Sequence, residues 1–256
     1  MWWKHLFEKN FDQTVQRFIV EHSDFTFKAF LGYGSYGRAY LIEASSSQQQ
    51  FVLKCLRPKH RRHQKTIAKF KQESDILQQL SLPYVPSIHM TGTIQGLPFF
   101  IMDYINGQTF EQLIFQNGTK FTRTQSLAIT KQLLTQIIAI HNHGIVHRDL
   151  RIPNILLVNK QLHIIDFGLA TTFKRNIDLT TIDNPKQAQN HISDLYFVGH
   201  FLLFLLYSNY EPSSQKEKAW QHELNLPVEV KDFLERLLWI QEPFPNASEA
   251  LHSMPY

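Results

Sequence analysis

Apolar positions along this chain follow first a helical period and then an extended one. Trp3, Phe7, Phe11, Val15 and Phe18 recur at steps of three and four, drawing one stripe along a predicted helix within residues 1–24, widened by Trp2, Leu6 and Ile19. Such a helix usually buries its stripe against the domain beside it. A dimer contact and a membrane surface are the sharper alternatives. Against an anionic membrane stand the mixed signs of Lys4, Glu8, Lys9, Asp12 and Arg17 on the polar face.

From Phe25 the text reads FTFKAFLGYGSYGRAYLIEA, two extended runs around a turn that carries Gly32, Gly34 and Gly37. A turn-like stretch, Ser45 to Gln50, leads into FVLK, and Ile88 to Met102 holds two further extended runs joined at Gln95 and Gly96. Asn106 and Gly107 mark a domain boundary. Beyond it the period changes. Thr122 to His143 reads as a helix with Leu127, Leu134, Ile137, Ile138 and His141 on one face. ILLV and LHII then form a short hairpin, Leu195 to Tyr207 a buried helix, and Phe233, Leu237 and Leu238 one more helical face.

The chemistry concentrates between Ile145 and Gly168, in IVHRDLRIPNILLVNKQLHIIDFG. Asp149 and Asp166 stand seventeen residues apart, with Asn154 between them. Magnesium takes hard oxygen ligands, and a hydroxyl attacking a γ-phosphate needs an oriented acceptor for its proton. One segment holds the residue types for both. Taken singly, Asp149 is equally a turn residue and Asp166 a strand-end cap. The glycine turn is weak alone, since the dinucleotide-binding fold uses the same letters, but there the glycines open a helix, whereas Ala39, Tyr40, Leu41 and Ile42 continue here as a strand.

Composition narrows the class. At 43% hydrophobic and 19% charged residues, the 256-residue chain is an ordinary globular protein, and a net charge of +4 permits an acidic partner without demanding one. The single cysteine, Cys55, excludes an intrachain disulfide and a cysteine zinc cluster, as expected of a reducing, cytoplasmic setting. His141, His143 and His147 cluster without the spacing of a zinc motif. Charges interrupt the N-terminal apolar stretch, so no signal peptide is expected, and the thirteen-residue run at Leu195 to Tyr207 is too short for a membrane span. RPKHRRHQKTIAKFK, from Arg57 to Lys71, reads first as a solvated face. It lacks the aromatic interleaving of single-strand binders. Duplex DNA through phosphate contacts and an acidic docking partner stay open, though nucleic acid is not favoured.

HRDLRIPN followed at this spacing by DFG resembles the catalytic loop and metal-binding motif of the eukaryotic-type (Hanks-type) Ser/Thr protein kinases. The small soluble bacterial members, which lack a membrane span and sensor, are the nearest in form. The resemblance implies an α+β fold of two lobes: a β-rich small lobe over residues 25–105 and a helical large lobe over 106–256. It implies ATP and Mg2+, with Mn2+ as a substitute, and a protein substrate presenting a Ser or Thr hydroxyl, the enzyme's own included. In that scheme Asp149 is the catalytic base and Asn154 and Asp166 hold the metal. Arg151 replaces a lysine near the γ-phosphate, keeping the charge in a forked, bulkier form. Lys54, in FVLK, holds the α- and β-phosphates and pairs with Glu73. Leu31, Gly32, Gly34, Ser35 and Gly37 cover the phosphates, Ala39, Val52 and Leu156 enclose the adenine, Met102 is the gatekeeper, and Asp103 and Ile105 offer backbone groups to the adenine edge. Ala39 and Val52 exchange the family's usual valine and alanine, which conserves volume. His147 is a buried structural histidine. Asp194 holds the catalytic-loop backbone, and Arg148 before the base suggests a switch by phosphorylation at Thr180 or Thr181, with Thr171 and Thr172 competing.

Past Gly168 the text departs from the family. NPK at Asn184 to Lys186 stands where APE is usual, and FPNASEAL puts Phe244 in place of the arginine that pairs with the APE glutamate. Losing both members of a buried pair can be neutral, whereas losing one costs roughly 3–5 kcal/mol, so the double loss reads as a restructured peptide-binding region. Two other readings remain: a kinase-fold enzyme phosphorylating a sugar or an aminoglycoside, which the missing APE favours, and a non-catalytic scaffold, which the intact Lys54, Glu73, Asp149, Asn154 and Asp166 oppose.

Overall fold

The register of an antiparallel sheet decides which side chains of the first hundred residues meet. The computed structural model describes residues 2–22, 24–174, 178–211 and 218–255, with side chains from residue 10 onward apart from residue 22. It divides into two compact units, Met1–Ile105 and Asn106–Tyr256. In the first, β1 (Phe25–Tyr33), β2 (Gly37–Ala44), β3 (Gln50–Leu56), β4 (Ile88–Ile94) and β5 (Leu97–Asp103) pair in the order β1-β2-β3-β5-β4. Directly paired residues share a face. Arg38 with Cys55, Tyr40 with Leu53, Leu53 with Ile101 and Cys55 with Phe99 therefore lie on one face. Ala39 with Lys54, Leu41 with Val52, Val52 with Met102 and Lys54 with Phe100 lie on the other.

Each face receives a helix. Helix α1 (Trp2–His22) meets the Tyr40 face, where the Phe18 and Phe99 rings pack edge to face at 5.5 Å. Phe11, Val15 and Ile19 of its stripe are buried, contributing about 1.5–3 kcal/mol each; the side chains of Trp2, Trp3, Leu6 and Phe7 lie outside those described. Helix α2 (Gln64–Leu80) meets the Lys54 face, with Phe70 5.2 Å from Phe100. A sheet covered on both sides keeps no polar alternation, hence the unbroken apolar text of FVL and FFIM. Asp12 departs from the sequence reading: it turns to the sheet, pairing with Arg38 at 2.7 Å, and is not part of a solvated polar face.

In the second unit, α3 (Arg123–Asn142) begins at Thr122 in a capping box with Gln125 and ends before Gly144, which adopts a φ of 73°. Leu127, Leu133, Leu134, Ile137 and Ile140 are buried, while Ile138 is only half-buried. Short strands follow: β6 (Gln108–Thr109) precedes α3 and pairs with β8 (Ile155–Val158), itself paired with β9 (Gln161–Ile164), and β7 (Ile145–Val146) pairs with β10 (Thr171–Thr172). The β8–β9 turn places Asn159 and Lys160 both at positive φ, 48° and 67°, the twist that a two-residue hairpin requires. Helix α4 (His191–Tyr207), capped by Asn190, carries the apolar run. At Gly199 a Cβ would stand 2.9 Å from Leu238, so the end of α6 (Val228–Leu237) comes close only because that side chain is absent. Helices α5 (Trp220–Glu223) and α7 (Ala247–His252) complete the unit.

Candidate active site

Within the first unit the structure brings Lys54 and Glu73 together, Nζ to Oε1 at 2.6 Å, with Glu73 buried in the sheet-facing side of α2. The lysine stem passes over Gly37, where a Cβ would meet Lys54 carbons at 3.1 and 3.2 Å and the Phe70 ring at 3.3 Å. Glycine at that position thus serves close packing. At the other end of the turn Gly32 holds a φ of 138°, a conformation that side chains disfavour.

The tip of the glycine turn is tethered by the start of the basic stretch, which corrects the reading of that whole stretch as a solvated face. Arg57 donates from Nη1 to the Gly34 carbonyl at 3.0 Å and from its main chain to the Tyr36 carbonyl at 2.8 Å. His60 donates from Nε2 to the Ser35 carbonyl at 3.0 Å. In a trans peptide the C=O and the next N–H point in opposite directions. Tethering the Gly34 and Ser35 carbonyls to this basic turn therefore aims the Ser35 and Tyr36 N–H groups away from it, the orientation a phosphate-binding loop needs. Arg61, Arg62, His63 and Lys65 remain exposed. Ala39, Val52 and Met102 lie on the Lys54 face of the sheet, and Leu31 is exposed. Asp103 ties the end of β5 to the start of β4, accepting from the Ser87 N–H at 2.9 Å and from His89 at 2.6 Å. Ile105 follows it, half-buried.

In the second unit the loop from His147 to Asn154 is held from below by Asp194, in the first turn of α4. Fully buried, Asp194 accepts the main-chain N–H groups of His147 at 3.0 Å and Arg148 at 2.7 Å, and His141 Nε2 at 2.9 Å. Burial alone raises a carboxyl pKa; the His141 contact and the Arg148 N–H outweigh it and hold Asp194 below its ordinary value, hence ionised. His147 is buried, and burial lowers its pKa, so it is a neutral imidazole. Its Nδ1 accepts the Asp149 N–H at 3.2 Å and its Nε2–H donates to the Ile165 carbonyl at 3.2 Å, joining the loop to the residue just before DFG.

Asp149 is 7% exposed. Asn154 Nδ2 donates to its carboxylate at 2.8 Å and to its carbonyl at 2.9 Å, and Arg151 grips the carboxylate through Nε and, at 2.9 Å, through Nη2. The forked Arg151 side chain thus makes a bidentate pair with the Asp149 carboxylate. Ile165 N–H donates to the Asn154 carbonyl at 3.0 Å, which sets Asp166 beside Asn154 in the fold. Asp166 is exposed, at a φ of 61°, and Phe167 is buried against His147 with ring centroids 4.5 Å apart. With its N–H groups spent on Asp149, Asn154 offers Oδ1, and Asp166 offers a carboxylate. Both are hard oxygen donors, a set that fits magnesium, which completes its shell with water and phosphate oxygens. Leu156 is buried in β8.

Sequence reasoning missed the contact of Asp12 with Arg38 and Tyr40, and the tethers from Arg57 and His60. Neither leaves a periodic signal; Asp12 and Arg38 are joined only by the fold, 26 residues apart.

A family model described as the protein kinase domain matches residues 25–243. The chain is similar to the probable serine/threonine-protein kinase YbdM of Bacillus subtilis (strain 168), with 33% identity over 238 residues that take in 93% of this chain and 91% of that relative. It is similar to serine/threonine-protein kinase PrkC of the same organism, 28% identical over 69% of this chain and 29% of the relative. A third relative is the probable serine/threonine-protein kinase PknB of Lactococcus lactis subsp. lactis (strain IL1403), 27% identical over 69% of this chain and 30% of its own length. With a family model spanning most of its length and one relative matched nearly end to end, the chain belongs to the protein kinase family.

Proposed function

We propose that this protein transfers the γ-phosphate of ATP to Ser or Thr hydroxyls of proteins, its own among them, with Asp149 accepting the hydroxyl proton. The observation that carries the reading is the grip on Asp149. Asn154 and Arg151 orient its two oxygens, while Asp194 holds the backbone before it. Asn154 and the held backbone keep the base in place, and it takes up the hydroxyl proton once a phosphate has drawn the Arg151 guanidinium away. The names of the relatives, all Ser/Thr protein kinases, favour a protein over a small-molecule acceptor.

Asn154 Oδ1 and the Asp166 carboxylate hold Mg2+ in this proposal, with Mn2+ as a substitute; the ion when bound neutralises charge on the transferring phosphate. Lys54, kept extended by Glu73, meets the α- and β-phosphates. The N–H groups of the Gly32 to Gly37 turn cover them, and within the first unit Leu31, Ala39, Val52 and Met102 line the adenine, whose edge meets main-chain groups at Asp103 and Ile105. Arg151 neutralises Asp149 until a phosphate competes for its guanidinium. The setting proposed is the reducing cytoplasm, where Cys55 stays a buried free thiol, its pKa pushed up to about 12 by burial.

The test is transfer of labelled γ-phosphate from magnesium-ATP by the purified protein, alone and with casein or myelin basic protein. Label on Ser or Thr, absent from Asp149→Asn and Asp166→Asn, is expected. ATP binding without any labelled protein would return the choice to a small-molecule acceptor.

A further inference from the structure

Arg38 directly follows the last glycine of the loop and pairs across its mouth with Tyr33, so these two residues close the turn. Its guanidinium lies on the sheet face opposite Lys54, 4.5 Å from the Phe30 ring centroid and 5.7 Å from that of Tyr33, and is almost fully buried. Asp12 of α1 takes both forks, Nε to Oδ1 at 2.8 Å and Nη2 to Oδ2 at 2.7 Å, and Oδ1 also accepts the Tyr40 hydroxyl at 2.7 Å. Tyr40 in turn accepts from Arg38 Nε at 3.2 Å. The result is a closed triad in which one carboxylate from outside the sheet balances a buried cation at the root of the loop. Burial disfavours that cation, and the bonds to Asp12 and Tyr40 outweigh the burial and raise its pKa. Burial and the neighbouring carboxylate raise the Tyr40 pKa, keeping its phenol a donor.

A buried arginine without its carboxylate does not stay where it is. It seeks water, and the strand residue that carries it adjoins Gly37, over which the Lys54 stem passes. We propose that Asp12 is a positioning residue for nucleotide binding: through Arg38 it sets the mouth of the glycine loop, making α1 a working part of the nucleotide site. The proposal rests on the kinase reading for its ligand, and on geometry alone for the coupling of helix to loop.

Amide hydrogen exchange at Ser35 to Arg38 in the nucleotide-free protein, wild type against Asp12→Asn, reads the coupling directly. Exchange there is expected to quicken by about ten-fold or more in Asp12→Asn while the α3 amides keep wild-type rates, and Asp12→Glu is expected to restore most of the protection. Magnesium-ATP binding and steady-state kinetics are then measured on the same proteins. The KM for ATP is expected to rise about ten-fold with kcat at saturating ATP within about two-fold. Loop exchange unchanged in Asp12→Asn overturns the coupling. Faster loop exchange with unchanged ATP affinity and KM overturns the role in nucleotide binding. A wild type that binds no ATP overturns the kinase reading and with it the ligand named here, while the exchange data still decide the coupling. If Asp12→Asn does not fold, Arg38→Lys, which keeps the buried charge paired but gives up the second fork to Asp12, takes its place: wild-type loop exchange and ATP affinity in that protein overturn the proposal, and faster loop exchange with weakened affinity supports it.

Discussion

Asp194 accepts the main-chain N–H of Arg148 at 2.7 Å, and Arg148 carries that N–H at a φ of 66°, in the left-handed region. A non-glycine residue there costs of order 1–3 kcal/mol and persists only when its surroundings enforce it. Asp194 supplies the enforcement, binding the main chain at the bend and at the residue before it. Asp194→Ala leaves the buried N–H groups of His147 and Arg148 without that acceptor. A loss of about 3–5 kcal/mol in urea unfolding is expected, with phosphotransfer abolished in the fraction that stays folded.

The Lys54 and Glu73 pair separates stability from function. Both groups are largely buried, so replacing the pair with apolar side chains removes two desolvation penalties along with one attraction. Lys54→Met with Glu73→Leu is expected to match wild-type stability within about 1 kcal/mol and to lose measurable phosphotransfer. Glu73→Gln alone is expected to lower kcat/KM for ATP by about 100-fold. Thermal unfolding beside the kinase assay checks both.

Phe244 is buried against Phe233, with ring centroids 5.4 Å apart, and the Arg236 guanidinium stacks on it at 3.8 Å. Restoring the family's arginine with Phe244→Arg would place a cation in this apolar slot, beside an existing one, in a chain whose text offers no APE glutamate. A destabilisation of about 3–5 kcal/mol by urea unfolding is expected. Wild-type stability would show that the slot still has a carboxylate to offer.

His191 sets the acid side of the stability profile. Burial, with His141 adding to it, lowers its pKa in the folded state to about 4, against the ordinary histidine value of 6.5. As pH falls below 6.5 the unfolded chain takes up a proton that the folded chain refuses, so the unfolded state gains. Stability is full above pH 6.5 and declines from there toward pH 4, by up to roughly 3 kcal/mol from this residue. Urea midpoints between pH 7.5 and 4.5 should fall with acid, and the fall should be shallower in His191→Gln.

Much of the second unit was legible because its signals are local. The helical period places α3 within one residue at either end, the expected Thr122 and His143 proving to be its caps. The β8–β9 hairpin follows from two apolar runs, ILLV and LHII, with the polar Asn159, Lys160 and Gln161 between them. The residues proposed as catalytic were legible for a different reason: they stand in two motifs, HRDLRIPN and DFG, of one short segment, and Asp149, Asn154 and Ile165, just before DFG, are joined by hydrogen bonds. The basic stretch was not legible. Its charges suggested solvent, yet Arg57 and His60 spend theirs on carbonyls of the glycine turn, a use that depends on where β3 ends relative to that turn.

What the sequence alone determined is most of the longer elements and the gathering of Asp149, Asn154 and Asp166 in one segment, since periodicity, caps and motif spacing all act within a few residues of chain. The tertiary structure decided which charges are structural. Asp12 and Arg38 carry no mark of each other in the text. They meet because α1 lies across one face of a sheet whose register turns Arg38 and Tyr40 to that face and Ala39 and Lys54 to the other. A side chain's face is a local property of the strand, but what covers the face is settled only when the whole chain has packed.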